Sequence, residues 1–216
     1  MTRWAMVIDV EKCTGCQTCM VACKVENGLG PLLQRVQVVE KETGEYPAVQ
    51  RVYIPRRCMN CSEPACVGVC PSGATEQRED GIVTVDHDRC IGCRYCVVAC
   101  PYNARMYNGQ ERSYHGQPSR WERQRYAEHP TGVVDKCNFC ASRVDAGLAR
   151  GLVPGRDADA TPMCVIACIA AALTFGDLDD PDSEVSRMVR ESGALQLLPE
   201  MKTDPSVYYL PRRQQP

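Results

Sequence analysis

The chain has 216 residues and a formal net charge of −2, from 25 basic and 27 acidic side chains. That length allows one large domain or two small ones, and the balanced charge gives no basic footprint for a nucleic acid, so no nucleic-acid partner is expected. Two Phe, two Trp and nine Tyr make a thin conventional core, whereas 16 Cys approach the level of a cross-linked or metal-filled protein.

In chain order, residues 1–10 hold a short apolar run without a basic n-region or cleavage site, so no secretory signal is expected. A strand is predicted at 4–9, then a first cysteine group (Cys13, Cys16, Cys19, Cys23) leading into a short helix, 19–27, stopped by Gly28. Strands at 34–40 and 49–54 flank a turn at Thr43-Gly44-Glu45. The second group is Cys58, Cys61, Cys66 and Cys70. A hairpin follows, with strands at 74–78 and 82–85 around Glu79-Asp80-Gly81. The third group is Cys90, Cys93, Cys96 and Cys100. Residues 108–134, polar and rich in Gln, Arg and Tyr, read as an irregular excursion. The fourth group, Cys137, Cys140, Cys164 and Cys168, is split by a second excursion at 151–161. The longest apolar stretch, 163–175, has 13 residues, too short for a bilayer span of roughly 20. A closing strand is predicted at 173–176, then a helix capped by Asp182 or Ser183 and running to Glu191. Residues 195–216, with Tyr208-Tyr209 among prolines, read as an extended arm lying on a partner.

Every cysteine group opens with C-x2-C and closes with C-x3-C; only the middle gap varies, two residues in groups one and three, four in group two and 23 in group four. Disulfides at such spacing would need many strained loops. Structural zinc uses two separated pairs rather than three crowded thiols. The run C-x2-C-x2-C-x3-C-P is the bacterial ferredoxin pattern for [4Fe–4S] clusters, in which the fourth cysteine ligates the neighbouring cluster. Group three, Cys90 to Pro101, fits it at every position; group one has the same spacing with Lys24 in place of Pro. At four thiolates per cluster, the sixteen cysteines supply four clusters with none left over. No C-x-x-C is followed by His, and His87, His115 and His129 all lie outside the groups, so haem attachment and a Rieske centre are excluded. The histidines read as ordinary solvated or hydrogen-bonded side chains. No glycine-rich phosphate loop and no nucleophile–base set is present, so no catalytic residue and no direct small-molecule substrate is expected.

Groups one and three repeat at an offset of 77 residues, Val7-Ile8-Asp9 before Cys13 matching Thr84-Val85-Asp86 before Cys90. Groups two and three, joined by one hairpin and both ending in Cys-Pro, form one two-cluster module. By elimination groups one and four form the other. Crossing the fourth ligands gives cluster A (Cys13, Cys16, Cys19, Cys168), cluster B (Cys23, Cys137, Cys140, Cys164), cluster C (Cys58, Cys61, Cys66, Cys100) and cluster D (Cys70, Cys90, Cys93, Cys96). The expected fold class is α+β: two bacterial-ferredoxin-like two-cluster modules, one inserted in the other, with irregular insertions and an extended C-terminal arm. The outer module takes 1–45 plus 133–180 and the inner one 46–110. The insertion takes 108–134, and the C-terminal helix and partner-contacting arm take 181–216. Four oxidised cubanes with their thiolates add about −8. Arg57, Arg89, Arg94 and Lys136 lie in or beside the groups as offsetting cations, with Arg94 the first choice to tune cluster D. Two other readings stay open at this level: a free-standing polyferredoxin, expected to be monomeric, and a colourless zinc module.

The four groups in this order, with the fourth one split, resemble the electron-transfer (beta) subunits of the dimethyl sulfoxide reductase family of molybdenum and tungsten oxidoreductases, over residues 4–180. The small beta subunits of polysulfide, thiosulfate, tetrathionate and arsenate reductases and of phenylacetyl-CoA oxidoreductases are similar. Some members replace one group-three ligand with Trp and hold a three-iron cluster; Cys93 and Cys96 are both present here, so four cubanes are expected. The resemblance implies the crossed ligation above. It implies a cluster A end facing a catalytic subunit with a molybdenum- or tungsten-bis-pterin, and a cluster D end facing an integral-membrane, quinone-reactive anchor. It also implies a peripheral position on the cytoplasmic membrane, at its cytoplasmic face or, by co-export, its periplasmic face.

Overall fold

Strand β1 (Trp4–Asp9) is apolar at successive positions, so it is suited to burial on both faces. The computed structural model, which describes residues 2–110 and 112–211, buries it in that way. It is the middle strand of a three-stranded sheet, antiparallel to β8 (Leu173–Asp177) and parallel to β9 (Val207–Leu210). Trp4, Met6 and Ile8 face inward with Leu173, Phe175, Val207 and Tyr209, and this face continues into a core that contains Cys19, Cys23, Cys58, Cys137 and Cys164. Ala5 and Val7 face outward with Tyr208 and Leu210, and Val185 of helix α7 (Glu184–Glu191) covers them. Ser183 is the N-cap of that helix, its hydroxyl accepting from Ser186 N at 3.0 Å.

The remaining strands form three hairpin-like pairs. β2 (Val36–Thr43) and β3 (Gln50–Arg57) are antiparallel, so the turn expected at 43–45 is a longer loop, 44–49. Its outer half is exposed, and its base carries Arg57 and Cys58 into the core. β4 (Thr75–Gln77) and β5 (Val83–Val85) make the pair expected between groups two and three. β6 (Arg105–Tyr107) pairs with β7 (Val134–Lys136) and so brings the end of group three beside the start of group four. The cysteines sit on helices α1 (Thr18–Glu26), α2 (Ala65–Gly68), α3 (Tyr95–Val98) and α6 (Met163–Ile166), or in the loops next to them. α5 (Ala141–Leu148) starts directly after Cys140. α1 packs on α6, and α2 on α3.

Two expectations change. The excursion at 108–134 is not wholly irregular: α4 (Arg120–Tyr126) starts from a capping box, with Ser119 and Glu122 exchanging hydrogen bonds. Two donors that would otherwise be unpaired are satisfied there, which is enough to start a helix without an apolar face. The arm expected to lie on a partner instead packs on its own chain. Val207–Leu210 are buried, and Tyr209 donates its hydroxyl to Pro55 O at 2.9 Å. The reason is that β1 would otherwise leave an apolar edge unpaired. Residues 212–216 of the expected arm lie outside the described residues. A chain ending at Lys202 should therefore lose about 6 kcal/mol or more, at ~1.5 kcal/mol for each of four buried apolar side chains. Thermal melting of the isolated, anaerobically matured chain checks this; an arm used only by a partner would leave the melting unchanged.

Candidate metal centres

All four cysteine loops share one backbone device. The residue before the second cysteine is left-handed in each: Gly15 (φ +71°), Asn60 (+42°), Gly92 (+67°) and Phe139 (+54°). Left-handed residues within a tight turn direct successive N–H groups to one side, forming a nest for an anion. Phe139 is bulky and buried, and such a φ costs energy; its ring is held edge-on against Phe175 at 5.5 Å. In loops one and three the residue after the second cysteine, Gln17 or Arg94, is left-handed too and occupies the N-cap position of the following helix without a capping side-chain hydrogen bond. The 77-residue sequence repeat is thus also a backbone repeat. A second device follows the groups. Gly73, Asn103 and Ala171, each three residues past a last cysteine, have positive φ and donate N–H to the carbonyls of Cys70, Cys100 and Cys168 at 3.2, 3.2 and 3.1 Å. Group one lacks this turn: Lys24 follows Cys23, and α1 continues to Glu26.

The sixteen cysteines are free thiols. Cys58, Cys61, Cys66 and Cys100 line one cavity, and Cys70, Cys90, Cys93 and Cys96 line another. Cys13 lies in the electrostatic field of Cys16 and Cys168, and Cys19 in that of Cys13 and Cys168. Cys23 faces Cys137, Cys140 and Cys164. The field extends further: Cys164 acts on Cys19, Cys58 on Cys137, and Cys66 on Cys96. Only Cys16 and Cys93 are exposed. Burial pushes the Cys19 thiol up to about 11, and those of Cys61 and Cys140 up to about 12. At Cys70 burial is outweighed by hydrogen bonds from Thr75 and Ser72, which bring it down to about 7. Backbone N–H groups already point at sulfur: Thr75 N lies 3.4 Å from Cys70 Sγ, and Ala172 N 3.3 Å from Cys168 Sγ.

Cations complete the site. Arg57 is 2% exposed; its Nη1 donates to Cys164 Sγ at 3.0 Å, while Nε and Nη2 have no partner among the described residues. Burial opposes its charge, and the facing sulfurs of Cys164, Cys137 and Cys19 hold it charged. Arg105 is 4% exposed; Nη1 reaches Thr75 Oγ1 at 3.2 Å, Nε and Nη2 are unpaired among the described residues, and the guanidinium faces Cys66, Cys96 and Cys58. Neither has a carboxylate partner among the described residues. A buried, uncompensated charge costs several kcal/mol, so neutral thiols alone leave both stranded. A sulfur-ligated group of net negative charge removes that penalty and uses the inward amides, so the residues fit iron–sulfur ligation.

Family models for a 4Fe-4S dicluster domain and a 4Fe-4S binding domain match residues 49–117 and 4–25. A protein of Halobacterium salinarum assigned as an iron–sulfur subunit of dimethyl sulfoxide reductase is 43% identical, over 97% of this chain and 79% of its own length. A selenate reductase subunit of Mesobacillus selenatarsenatis is 40% identical over 96% of this chain and 72% of its own. The iron–sulfur cluster-binding subunit of menaquinone reductase from Nitratidesulfovibrio vulgaris is 39% identical over 98% and 90%. The chain belongs to the iron–sulfur (beta) subunits of the dimethyl sulfoxide reductase family. Like its relatives, this iron–sulfur subunit is an electron-transfer component of a reductase complex.

Within this iron–sulfur subunit, two polar features do not stand out in the sequence. Arg105, which no motif in the sequence singles out, opens a three-residue strand and is buried. Arg94, the first choice for tuning, is exposed and stacks 3.8 Å from the Tyr107 ring centroid, so water screens it and Arg105 takes the stronger position. The second feature is Asp135. Arg35 Nε and Nη2 donate to it at 2.8 and 3.1 Å, and His129 Nδ1 lies 2.8 Å away. Burial works against the Asp135 charge, but Arg35 and His129 hold the carboxyl well below its usual range. Asp135→Asn should strand Arg35 and lower stability by about 3–5 kcal/mol, whereas Arg35→Met with Asp135→Leu should recover most of it; thermal melting of the three proteins measures both effects.

Proposed function

We propose that the sixteen cysteines hold four [4Fe–4S] clusters in the crossed sets A to D, and that this protein relays single electrons between a molybdenum- or tungsten-bis-pterin catalytic subunit and a membrane quinone-reactive subunit. When bound, the clusters supply reversible one-electron centres. The observation that carries the reading is the pair of buried guanidiniums, Arg57 and Arg105, facing sulfur and no carboxylate among the described residues. The packing of α1 on α6 and α2 on α3 supports two ferredoxin-like modules, the inner inserted in the outer. The electrostatic coupling between sets, Cys19 with Cys164, Cys137 with Cys58 and Cys96 with Cys66, supports the order A–B–C–D.

The two exposed cysteines belong to the terminal sets, Cys16 to A and Cys93 to D. Exposed apolar side chains follow or flank each in sequence: Val21 after Cys16, and Ile91, Tyr95 and Val98 around Cys93. Such surfaces suit docking of other subunits. They favour a fixed place in a complex over a freely diffusing carrier. By the family resemblance, the A end serves the catalytic subunit and the D end the membrane subunit. The menaquinone reductase relative supports a quinone-linked role. No helix among the described residues is long and apolar enough to cross a membrane, which accords with peripheral attachment through that partner. This chain's residues make and break no substrate bond. Its cysteines ligate, its loop amides direct N–H groups at sulfur, and its apolar core limits water.

The crossed sets make a specific prediction for serine variants. Cys100→Ser should alter the same paramagnetic centre as Cys58→Ser, and Cys70→Ser the same one as Cys90→Ser. Low-temperature EPR of the dithionite-reduced proteins reads this out. If Cys100→Ser instead disturbs the centre altered by Cys90→Ser, each group ligates its own cluster and the crossing is wrong.

A further inference from the structure

We propose that Arg57 and Arg105 are shared charges, each setting the reduction potentials of two adjacent clusters together: Arg57 those of A and B, Arg105 those of C and D. The inference rests on the four-cluster reading above and assigns a role to two residues that ligate nothing. Arg57 contacts Cys164 of set B at 3.0 Å and faces Cys137 of set B and Cys19 of set A. Arg105 lines the cavity of set C beside Cys58, Cys61, Cys66 and Cys100, and its charge also acts on Cys96 of set D. Each guanidinium therefore stands between consecutive sets within one module.

Three features separate these two from the other cations. They are almost wholly buried, where a charge acts through a low dielectric. Two nitrogens of each, Nε and Nη2, have no partner among the described residues, so their charge is not neutralised by a carboxylate. A guanidinium also does not lose its proton in a protein, so the charge is fixed. Arg35 is buried but paired with Asp135. Lys136 is buried too, but its ammonium, unlike a guanidinium, can give up its proton when desolvated, and its donors are taken by Cys137 O at 2.7 Å and Asn60 Oδ1 at 3.3 Å. Arg89 and Arg94 are exposed.

A shared fixed cation has a distinct consequence. It favours reduction of both neighbours, and an electron passing between them stays beside the same charge. Each module then behaves as one electrostatic level. The step along the relay falls between sets B and C, where the neighbouring guanidinium changes from Arg57 to Arg105.

EPR-monitored potentiometric titration of the anaerobically matured full chain tests this with Arg57→Gln, Arg57→Lys, Arg105→Gln and Arg105→Lys. The serine variants above identify each centre. Arg57→Gln should lower the potentials of A and B, each by about a tenfold loss in the reduction equilibrium constant, about 59 mV for one electron, and leave D unmoved. Arg105→Gln should lower C and D and leave A unmoved, and each Lys variant should stay near the unsubstituted chain. Unshifted potentials at full iron content, or the same pair moved by both Gln variants, would overturn the proposal. So would a Lys variant that loads its iron yet shifts as far as Gln. Should either Gln variant fail to hold iron, the neutral Met variant at the same position (Arg57→Met or Arg105→Met) decides: both neighbouring potentials lowered supports the proposal, and neither lowered overturns it. Absence of four reducible centres in the unsubstituted chain would instead overturn the cluster reading itself.

Discussion

Arg57 and Arg105 carry full positive charge inside the protein with sulfur, not carboxylate, beside them. Water cannot compensate them, and the described residues offer no acidic side chain in reach. The interior is stable only if the sulfurs bear net negative charge. Isolated buried thiols do not provide it, because burial drives most of them toward the neutral form, as at Cys19, Cys61 and Cys140. Metal ligation reverses that preference, since a coordinating thiol is deprotonated. On the proposed reading, folding and cluster assembly are one equilibrium, by the linkage that governs other structural metals.

The same requirement explains the economy of the fold. With few aromatic residues, the apolar core is assembled around cysteines, and the three-stranded sheet closes one side of it. Each sulfur cradle is a tight loop with a left-handed residue before its second cysteine. That place is filled by Gly twice, by Asn once, and by Phe139 where packing offsets the strain. At Gly92 a side chain is impossible for a second reason: a Cβ there would lie 2.1 Å from Gly132 O, so the returning excursion closes over the loop.

Much of this is legible in the sequence, for identifiable reasons. β1 is readable because its apolar residues run without interruption, and Ser183 because a capping hydroxyl precedes an amphipathic run. The C-x2-C loops are readable because their turn is local and does not depend on the rest of the fold. What escapes depends on contacts distant in sequence. β9 reads as an arm because Val-Tyr-Tyr-Leu is flanked by prolines, and its partner strand lies at the other end of the chain. Arg105 goes unnoticed because a three-residue strand has no period to show which side is inside. α4 is easily passed over although Ser119 and Glu122 spell a capping box, since Arg-Trp-Glu-Arg-Gln-Arg lacks an apolar stripe.

If the sulfur sets of this chain store and pass electrons, the number it takes up is fixed by the number of sets. Coulometric reduction of the anaerobically matured, otherwise unmodified protein counts electrons accepted per polypeptide. Four one-electron steps, one for each set of four cysteines, are the expected result. A fully matured chain that accepts no electrons would contradict the electron-relay role, and one that accepts only two would refute the assignment of a redox centre to every set.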